Sequence, residues 1–452
     1  MRPRLSSTLD VIAAPATPPG RSALALVRLS GPGARAILRA VAPDFGEDPA
    51  PREATLARLC DAAGEIIDRG IVTVFRAPAS YTGEDCVEIS VHGGPVVVRR
   101  LLAALCAAGA RPARPGEFTE RAFLSGRMDL LEAEAVRDLI EARTEAAAKA
   151  SLARLEGGLS QGLREIRDLL ADAAAQLAAT IDFAEDVGER LPPPARESIS
   201  RARGALGGLL ATADAGRLLS AGCRVAILGR PNAGKSTLFN ALAGSERAIV
   251  TEIPGTTRDL LEVPLDIGGV PVDLVDTAGL REGADPIETI GVERARRELS
   301  RADAILYVFE AGRGLDAEDI AAVAAAAGKP VILIANKADR APEARLPEGA
   351  TALCGLAPEA GERLHALLGT RLASGLSLAS TSAMLANLRQ KDAVARALAE
   401  TEAAQASLDR GDSPEYAATH LDGALEALAE LAGETTSEEI LQRVFAGFCI
   451  GK

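Results

Sequence analysis

A phosphate-loop motif lies near the middle of this chain of 452 residues and limits the folds that the chain can adopt. Residues 229–236 read G-R-P-N-A-G-K-S and fit the pattern G-x-x-x-x-G-K-[ST]. An apolar run at 223–228 predicts a strand before the motif, and the spacing at 237–242 predicts a helix after it. Glycines let backbone N–H groups turn towards phosphate oxygens, Lys235 reaches the outer phosphates, and Ser236 is placed to bind Mg²⁺. The motif therefore predicts a nucleotide-binding α/β domain.

Two later motifs identify the nucleotide. A strand predicted at 272–275 runs into D-T-A-G, where Asp276 would hold Mg²⁺ through water and the Gly279 N–H would meet the γ-phosphate. A strand predicted at 331–335 runs into N-K-A-D. Its Asp339 can accept the N1–H and the 2-amino group of guanine, and adenine offers neither group. These motifs, in this order, predict a GTPase.

The segment between these motifs predicts a switch loop. Residues 251–259 read T-E-I-P-G-T-T-R-D, and Thr257 would reach Mg²⁺ only when the γ-phosphate is present. Leu280 stands where Ras-like enzymes place the glutamine that orients the attacking water. Either hydrolysis is slow or another polar group acts, and the loop 281–288 offers carboxylates. The residues predicted to bind GTP are Asn232, Ala233, Gly234, Lys235, Ser236, Thr237, Thr251, Glu252, Ile253, Pro254, Gly255, Thr256, Thr257, Asp276, Thr277, Ala278, Gly279, Asn336, Lys337 and Asp339.

Composition narrows the class of protein. No apolar run approaches the roughly 20 residues of a membrane span, and the N-terminus lacks the apolar core of a signal peptide. Six scattered cysteines form no C-x-x-C pair and there are only three histidines, which argues against structural zinc. We therefore expect a cytoplasmic protein with no membrane association. The net charge of −13 disfavours an indiscriminate nucleic-acid binder, although a local basic patch remains compatible with it.

The chain divides by composition into four segments. Residues 1–118 predict a compact α+β domain, 119–219 are rich in Ala, Leu, Glu and Arg and predict helices, 220–375 predict the GTPase domain, and 376–452 again predict helices. The prolines at 191–194 are expected to end the first helical stretch, before a helix at 196–219. One helical domain with the GTPase domain inserted fits this order, and two separate helical domains would read the same. Within 1–118, strands are predicted at 23–29, 70–75 and 85–91, and helices at 32–41 and 95–108.

Strings along essentially the whole chain resemble the family of bacterial tRNA-modification GTPases known as MnmE or TrmE. The phosphate loop alone fits many GTPases, so the strings outside it are the informative ones. They are A-T-P-P-G-R at 16–21, T-G-E-D at 82–85, H-G-G-P at 92–95, R-P-G-E-F-T-E-R-A-F at 114–123, T-x-I-P-G-T-T-R-D at 251–259, D-T-A-G-L-R at 276–281 and F-C-I-G-K at 448–452. The resemblance implies a multidomain fold: an α+β N-terminal folate-binding domain, an all-α helical domain and an inserted α/β Ras-like P-loop GTPase domain.

The resemblance also implies how GTP is hydrolysed. Asn232, with Thr251, Ile253 and Thr256, would bind K⁺ against the phosphates, where other GTPases use an arginine finger. Glu288 matches the glutamate that orients the water in this family, which answers the question left by Leu280, and Arg281 is the second catalytic candidate. Ser236 and Thr257 are the Mg²⁺ candidates. K⁺ would also help two GTPase domains dimerise.

The family binds a one-carbon tetrahydrofolate, 5,10-methylene- or 5-formyl-tetrahydrofolate, in an N-terminal domain that forms a homodimer. The matching positions are Arg28, Glu88, Arg127 and Lys452. Arg28 and Lys452 would meet the glutamate carboxylates of the folate, and Glu88 its pterin N–H edge. Cys449 is either a reactive thiol near the folate or a small buried side chain, and the second interpretation is favoured. His92 is given no chemical role.

The family acts with an FAD-dependent partner of the MnmG or GidA type, as a heterotetramer, to add a (carboxymethyl)aminomethyl group to C5 of uridine 34 in certain tRNAs. This is the leading hypothesis for the chain. The alternative is a GTP-dependent ribosome-assembly or RNA-binding switch without modification chemistry. The chain departs from the family pattern in two places. Arg127 replaces the usual lysine, and L-C-G-L at 353–356 stands where such GTPases usually carry Ser-Ala-Lys or Ser-Ala-Arg to contact the guanine.

Overall fold

The structure is a computed structural model, which describes residues 10–46, 49–182, 193–244, 262–276, 300–326, 328–372 and 384–452. The chain forms two compact units. Unit 1 comprises residues 1–137, 154–206 and 393–452, and unit 2 comprises residues 138–153 and 207–392. Among the helices described, none is long and apolar enough to cross a membrane.

Strands and helices are numbered here in chain order. The strands are β1 (Val11–Pro15), β2 (Leu24–Ser30), β3 (Thr55–Cys60), β4 (Ile66–Phe75), β5 (Cys86–His92), β6 (Ala110–Pro112), β7 (Cys223–Gly229), β8 (Glu262–Ile267), β9 (Val270–Asp276), β10 (Ala304–Glu310), β11 (Val331–Asn336) and β12 (Thr351–Ala352). The helices are α1 (Ala34–Val41), α2 (Pro95–Ala107), α3 (Glu117–Leu124), α4 (Leu130–Glu141), α5 (Glu145–Leu155), α6 (Gly158–Asp182), α7 (Pro193–Ala211), α8 (Ala213–Ala221), α9 (Lys235–Ala243), α10 (Ala317–Ala325), α11 (Ala360–Leu372), α12 (Leu388–Arg410), α13 (Pro414–Ala432) and α14 (Glu438–Ala446).

Unit 1 contains a six-stranded sheet with the order β3-β4-β5-β2-β1-β6. Its strands pair antiparallel except β1 with β6, which are parallel. Alternate residues such as Val72, Ile89 and Val27 point to one face, where they pack with α1 and α2 into a buried core. The opposite face carries Arg28 and Glu88, which the register of β2 and β5 places side by side.

The helices of unit 1 pack through apolar residues spaced three and four apart. Helix α6 buries Leu159, Leu163, Ile166, Leu170 and Leu177, and it packs against α13. A second cluster joins Phe123 of α3 and Leu130 of α4 to Phe445 of α14 and Phe448. Residues 123–136 and 441–448, which are far apart in the sequence, therefore share one core in this unit.

Helix α3 is buried along nearly its whole length although it carries three charged side chains. Arg121 bonds Asp10 and Glu84, at 2.7 and 3.1 Å, and Arg111 bonds Glu117 at 2.5 Å. Glu120 accepts from Arg114 at 2.9 Å. A buried charge is tolerated when it is paired and hydrogen-bonded, so these ion pairs allow α3 to lie buried against the sheet.

Unit 2 contains a six-stranded sheet with the order β12-β11-β10-β7-β9-β8. The strands are parallel except β8, which pairs antiparallel with β9. The central strands read as near-continuous apolar runs because both faces are covered. The corner between α4 and α5 also lies in this unit: Thr144 Oγ1 donates to the Gly269 carbonyl at 2.7 Å, and Arg143 bonds Asp273 at 2.5 Å.

The predicted fold classes, an α+β N-terminal domain, an all-α domain and an α/β Ras-like P-loop domain, are confirmed. The predicted boundaries at 118, 219 and 375 stay a prediction. The helix expected from residue 196 begins earlier, at Pro193, because proline fits the first turn, where its missing N–H has no helical partner to lose. The helix expected at 196–219 is interrupted at Thr212 and forms α7 and α8.

Candidate functional site

The nucleotide motifs meet at one edge of the unit 2 sheet. In the register of the parallel strands, Gly229 lies beside Val308, Ile227 beside Asp276, and Glu310 beside Asn336. The carboxyl ends of β7, β9, β10 and β11 therefore lie together, where ligands bind in open α/β sheets. This placement brings the phosphate loop, Asp276 and the N-K-A-D motif into one site.

The phosphate loop follows β7 without interruption and leads into α9. Asn232 has φ +63° and Gly234 φ +90°, and a Cβ on Gly234 would lie 2.1 Å from Asn336 Nδ2. Lys235 begins α9, and its Nζ donates to the Arg230 carbonyl at 2.7 Å. The loop thus turns around the helix N-terminus, where backbone N–H groups and the helix dipole favour phosphate. Ala233 is buried and Thr237 half-buried beside it.

The Mg²⁺ candidates of the described chain lie next to each other. Ser236 Oγ is 3.2 Å from Asp276 Oδ2, and Asp276 is buried at the end of β9. Hydroxyl and carboxylate oxygens are the ligands that Mg²⁺ prefers, and it usually keeps several waters besides. The two residues therefore fit the predicted ion, one as a direct ligand and one through water.

The predicted guanine site is built around Asn336. Its Nδ2 donates to the Ala233 carbonyl at 2.9 Å, and its Oδ1 accepts from the Gly355 N–H at 2.9 Å. Lys337 has φ +57°, and its Nζ bonds Glu310 at 3.1 Å. Asp339 is exposed in a 3₁₀ turn, so its carboxylate is accessible to a base. In the L-C-G-L stretch, the backbone of Gly355 supports the motif through Asn336.

The remaining nucleotide-site predictions lie outside the described residues. They are Thr251, Glu252, Ile253, Pro254, Gly255, Thr256, Thr257, Thr277, Ala278, Gly279, Arg281 and Glu288. The predicted K⁺ and water-orienting groups therefore stay predictions, apart from the place of Asn232, which is exposed in the phosphate loop.

A second site in unit 1 forms around Arg28 on β2. Its Nε and Nη2 donate to Glu88 Oε1 at 3.0 and 2.7 Å, and its Nη1 donates to the Gly451 carbonyl at 3.4 Å. The guanidinium carbon lies 5.2 Å from the ring centre of Tyr81 and 5.7 Å from that of Phe118. These distances suit cation–π contact, so two rings and a carboxylate fix the guanidinium.

The segment F-C-I-G-K enters this site from the far end of the sequence. Gly451 has φ +99°, and a Cβ there would lie 2.1 Å from the Pro15 carbonyl, so only glycine fits. The Phe118 N–H donates to the Lys452 carbonyl at 3.3 Å. Burial of Phe448 in the cluster with Phe445 anchors the start of the segment.

Lys452 is an electrostatic neighbour of Arg28 and Glu88. Burial lowers the pKa of its amino group below the ordinary 10.5, repulsion by Arg28 lowers it further, and Glu88 acts in the opposite direction. The side chains of Arg28 and Lys452 thus place two positive charges near the one side-chain carboxylate of Glu88. Such a group of side chains can bind an added carboxylate.

The other unit 1 predictions have mixed outcomes. Arg127 is exposed, and its Cγ would lie 3.2 Å from a Cβ placed on Gly83. Its role in folate binding stays a prediction. The favoured interpretation of Cys449 as a buried side chain is wrong: the residue is exposed, because Phe448 turns inward instead. His92 is exposed and its Nδ1 lies 2.9 Å from Asp68 Oδ1. Sequence reasoning missed Tyr81 and Phe118, although each lies in or next to a string that it singled out.

Family models match most of the chain. One, described as the MnmE helical domain, matches residues 130–449, and another, described as the GTP-binding protein TrmE N-terminus, matches residues 11–127. The chain belongs to the MnmE family of tRNA modification GTPases. It is 43% identical to the tRNA modification GTPase MnmE of Roseiflexus castenholzii over 98% of this chain and 99% of that protein. It is 44% identical to the MnmE of Halorhodospira halophila over 98% of this chain and 96% of that protein.

Two solved structures of GTP-binding proteins resemble part of this MnmE family member. An Era variant from Aquifex aeolicus bound to GDP·AlF₄⁻ is 28% identical, with 33% of this chain and 56% of that chain covered and a TM-score of 0.25. The G domain of the T. maritima FeoB iron transporter is 23% identical, with 34% of this chain and 98% of that chain covered and a TM-score of 0.25. The family assignment rests on the family models and the full-length relatives.

Proposed function

We propose that the chain is a potassium-activated GTPase that modifies tRNA with a one-carbon tetrahydrofolate. With an FAD-dependent partner of the MnmG type, it adds a (carboxymethyl)aminomethyl group to C5 of uridine 34 of certain tRNAs. GTP hydrolysis itself follows from membership of a family of GTPases. The folate, the K⁺, the flavin partner and the homodimer are the proposed parts.

GTP binding and hydrolysis are assigned to the sheet edge of unit 2. Backbone N–H groups of the phosphate loop and Lys235 bind the phosphates, and Asp339 selects guanine. Ser236 and Asp276 would hold Mg²⁺, which supplies positive charge as the γ-phosphate bond breaks. Asn232 faces solvent in the loop, where its side-chain oxygen is available to K⁺. The proposed K⁺ ligands are completed by Thr251, Ile253 and Thr256, and the proposed Mg²⁺ ligands by Thr257. Glu288 is proposed to orient the attacking water, and Arg281 is the second proposed catalytic residue.

The meeting of Lys452 with Arg28 and Glu88 carries the folate proposal. These residues come from positions 28, 88 and 452, and the fold of unit 1 brings them together. A folate carries carboxylates at one end and a pterin with N–H groups at the other. Arg28 and Lys452 suit the carboxylates and Glu88 suits N–H donors. Arg127 is proposed as a further contact for the folate, because it keeps the positive charge of the lysine that the family usually has at this position.

The homodimer proposal is supported by the outer face of the unit 1 sheet. Leu56 and Ile71 are cross-strand partners on β3 and β4, and their exposed fractions are 64% and 40%. The register continues from Ile71 to Ser90 and Leu26, so the row lies on the face that carries Arg28 and Glu88. Apolar side chains in a row on an open sheet face are typical of a protein interface. A second copy on this face would lie beside the proposed folate site.

The GTP-dependent RNA switch remains the alternative function. Such a switch needs GTP binding but no tetrahydrofolate, so folate binding separates the two. After residue 384, the described chain forms the helices α12, α13 and α14. A G-x-x-G RNA module after the GTPase domain, which the switch hypothesis would favour, does not match this helical segment.

The test is titration of the full-length protein with 5-formyl-tetrahydrofolate by calorimetry. We expect saturable binding, and we expect Arg28→Ala and Lys452→Ala each to weaken it roughly tenfold or more, as expected when a hydrogen bond to a charged group is lost. Arg99→Ala, at an exposed arginine on α2, is the matched control and should bind as the unchanged protein does.

GTP affinity measured on the same samples separates a local effect from misfolding. It should be unchanged in all three variants, because these residues lie outside unit 2. If the unchanged protein binds no 5-formyl-tetrahydrofolate while binding GTP normally, the modification proposal fails and the switch remains.

A further inference from the structure

Arg230, the second residue of the phosphate-loop motif, bonds the N-terminal end of α10. Its Nε donates to Asp319 Oδ1 at 2.9 Å, and its Nη2 donates to Asp316 Oδ1 at 2.5 Å. Nη2 also meets Glu318 Oε2 at 2.6 Å, but the Glu318 side chain is 83% exposed. An exposed ion pair contributes little, whereas the Asp319 side chain is only 2% exposed. The pairing with Asp319 is therefore the stronger one.

The acceptor carboxylates of Arg230 are themselves fixed. Asp316 caps α10 by accepting from the Asp319 N–H, and Asp319 Oδ2 accepts from the Asp316 N–H, which completes a capping box. The buried Tyr307 hydroxyl of β10 donates to Asp319 Oδ1 at 2.7 Å. Asp316 and Asp319 are thus held in place by the N-terminus of α10 and by the central strand β10.

The other end of Arg230 acts on the phosphate loop. Its carbonyl accepts from Lys235 Nζ at 2.7 Å and from the Ala233 N–H at 3.3 Å. Gly229 before it is pressed against β10, since a Cβ there would lie 2.0 Å from the Val308 carbonyl. One residue therefore joins the backbone that positions the phosphate-binding lysine to a rigid part of the sheet. Asn232, two residues later, has φ +63°, in the left-handed region that asparagine adopts more readily than most residues other than glycine.

We propose that Arg230 and Asp319 are positioning residues for nucleotide binding, which hold the phosphate loop in its receptive conformation before GTP arrives. A loop ordered in advance loses less conformational entropy on binding, so affinity rises. Neither side chain needs to touch the nucleotide. The proposal rests on GTP binding at this loop and is independent of the folate and tRNA parts of the proposed function.

The test measures dissociation of a fluorescent N-methylanthraniloyl GDP from the full-length protein by stopped flow. Arg230→Lys keeps the charge but loses the fork that serves two carboxylates, and Asp319→Asn keeps an acceptor but loses the charge. Each should raise the dissociation rate about tenfold, the effect of losing a charge-assisted hydrogen bond. The KM for GTP should rise in parallel, with a smaller change in kcat. Glu318→Gln, which alters only the exposed contact, is the control and should stay within about twofold.

The double variant Arg230→Lys/Asp319→Asn makes the test specific. Because both changes break the Arg230–Asp319 pair, their combined effect should be close to that of the larger single change. Additive effects, an equal effect from Glu318→Gln, or unchanged dissociation rates in folded single variants would each overturn the proposal. So would a lower melting temperature with an unchanged dissociation rate, the signature of a purely structural ion pair. Tyr307→Phe removes only the hydroxyl, and it should raise the dissociation rate by a smaller factor even if the charged variants fail to fold.

Discussion

Two glutamates on α3 lie three residues apart, and their environments shift their pKa values in opposite directions. Burial acts to raise the pKa of Glu117, but hydrogen bonds from Arg111 and the Arg114 N–H, with the charges of Arg111 and Arg121, lower it below the ordinary 4.5. Burial raises the pKa of Glu120 above 4.5, and the charge of Arg114 offsets this only in part. Ionised Glu117 therefore stabilises the folded unit, whereas ionised Glu120 opposes folding.

Neutral substitutions at these glutamates should have opposite effects at pH 7. A lowered folded-state pKa gives stability that is complete above pH 4.5 and is lost as the pH falls through the folded-state value. Glu117→Gln should therefore speed hydrogen exchange of the α3 amides at pH 7, by an amount corresponding to roughly 3 kcal/mol, the cost of breaking a buried pair. Glu120→Gln, the matched control, should leave exchange unchanged or slower. Equal acceleration of exchange in both variants would contradict the opposite pKa shifts of Glu117 and Glu120.

Residues whose chemistry follows from a motif could be predicted from the sequence, and residues that act through tertiary contacts could not. Lys235, Ser236 and Asp276 lie together as their motifs require. Arg230 and Asp319 are 89 positions apart, and no spacing rule links them. Whether a charged residue is buried and paired depends on which elements pack around it. The ion pairs of α3 and α10 therefore could not be predicted from the spacing of residues in the sequence.

At the scale of elements, the boundaries that failed have specific causes. Six of the described strands were not predicted: β1, β3, β6, β8, β10 and β12. Strands β6 and β12 are only three and two residues long, which is too short for a periodic pattern, and β3 alternates exposed and buried positions only imperfectly. Helix α7 begins at a proline that reads equally well as a terminator. The long apolar strands β7, β9 and β11 were predicted within a few residues of their bounds.

The turn before Lys452 is the element on which the proposed folate site depends. Gly451→Ala would place a Cβ against the Pro15 carbonyl in a left-handed conformation, so the segment F-C-I-G-K should detach from the site. We expect 5-formyl-tetrahydrofolate affinity to fall roughly tenfold or more, as in Lys452→Ala, with GTP affinity unchanged. Both affinities are measured by calorimetry.

Gly447 provides the matched control for this turn. It has an ordinary φ of −79°, and its Cβ would lie 3.3 Å from the flexible end of the Arg137 side chain. Gly447→Ala should therefore bind folate as the unchanged protein does. Full folate affinity in Gly451→Ala would show that the tight turn is not needed for binding.

For the molecule as a whole, the classes of domain could be predicted from the sequence, whereas the predicted domain boundaries stay a prediction. Unit 2 includes residues 138–153, which composition alone groups with the helical segment. The contacts of Arg143 and Thr144 with β9 and the β8–β9 turn explain why this segment belongs there. Composition carries no information on such contacts, because the same types of residue occur in a helix corner that is exposed and in one that packs against a sheet.

The outer face of the unit 1 sheet leads to a prediction about assembly. If a second copy covers Leu56 and Ile71, a charged residue there must be buried without a partner, and the dimer should dissociate. Leu56→Arg and Ile71→Arg should each give a monomer in sedimentation equilibrium, where the unchanged protein gives a dimer. Leu152→Arg, at an α5 side chain that is 45% exposed, is the control and should remain dimeric. Because Arg28 and Glu88 share that face, the monomeric variants should also bind folate more weakly while binding GTP normally. A dimer that persists in both variants would place the interface elsewhere.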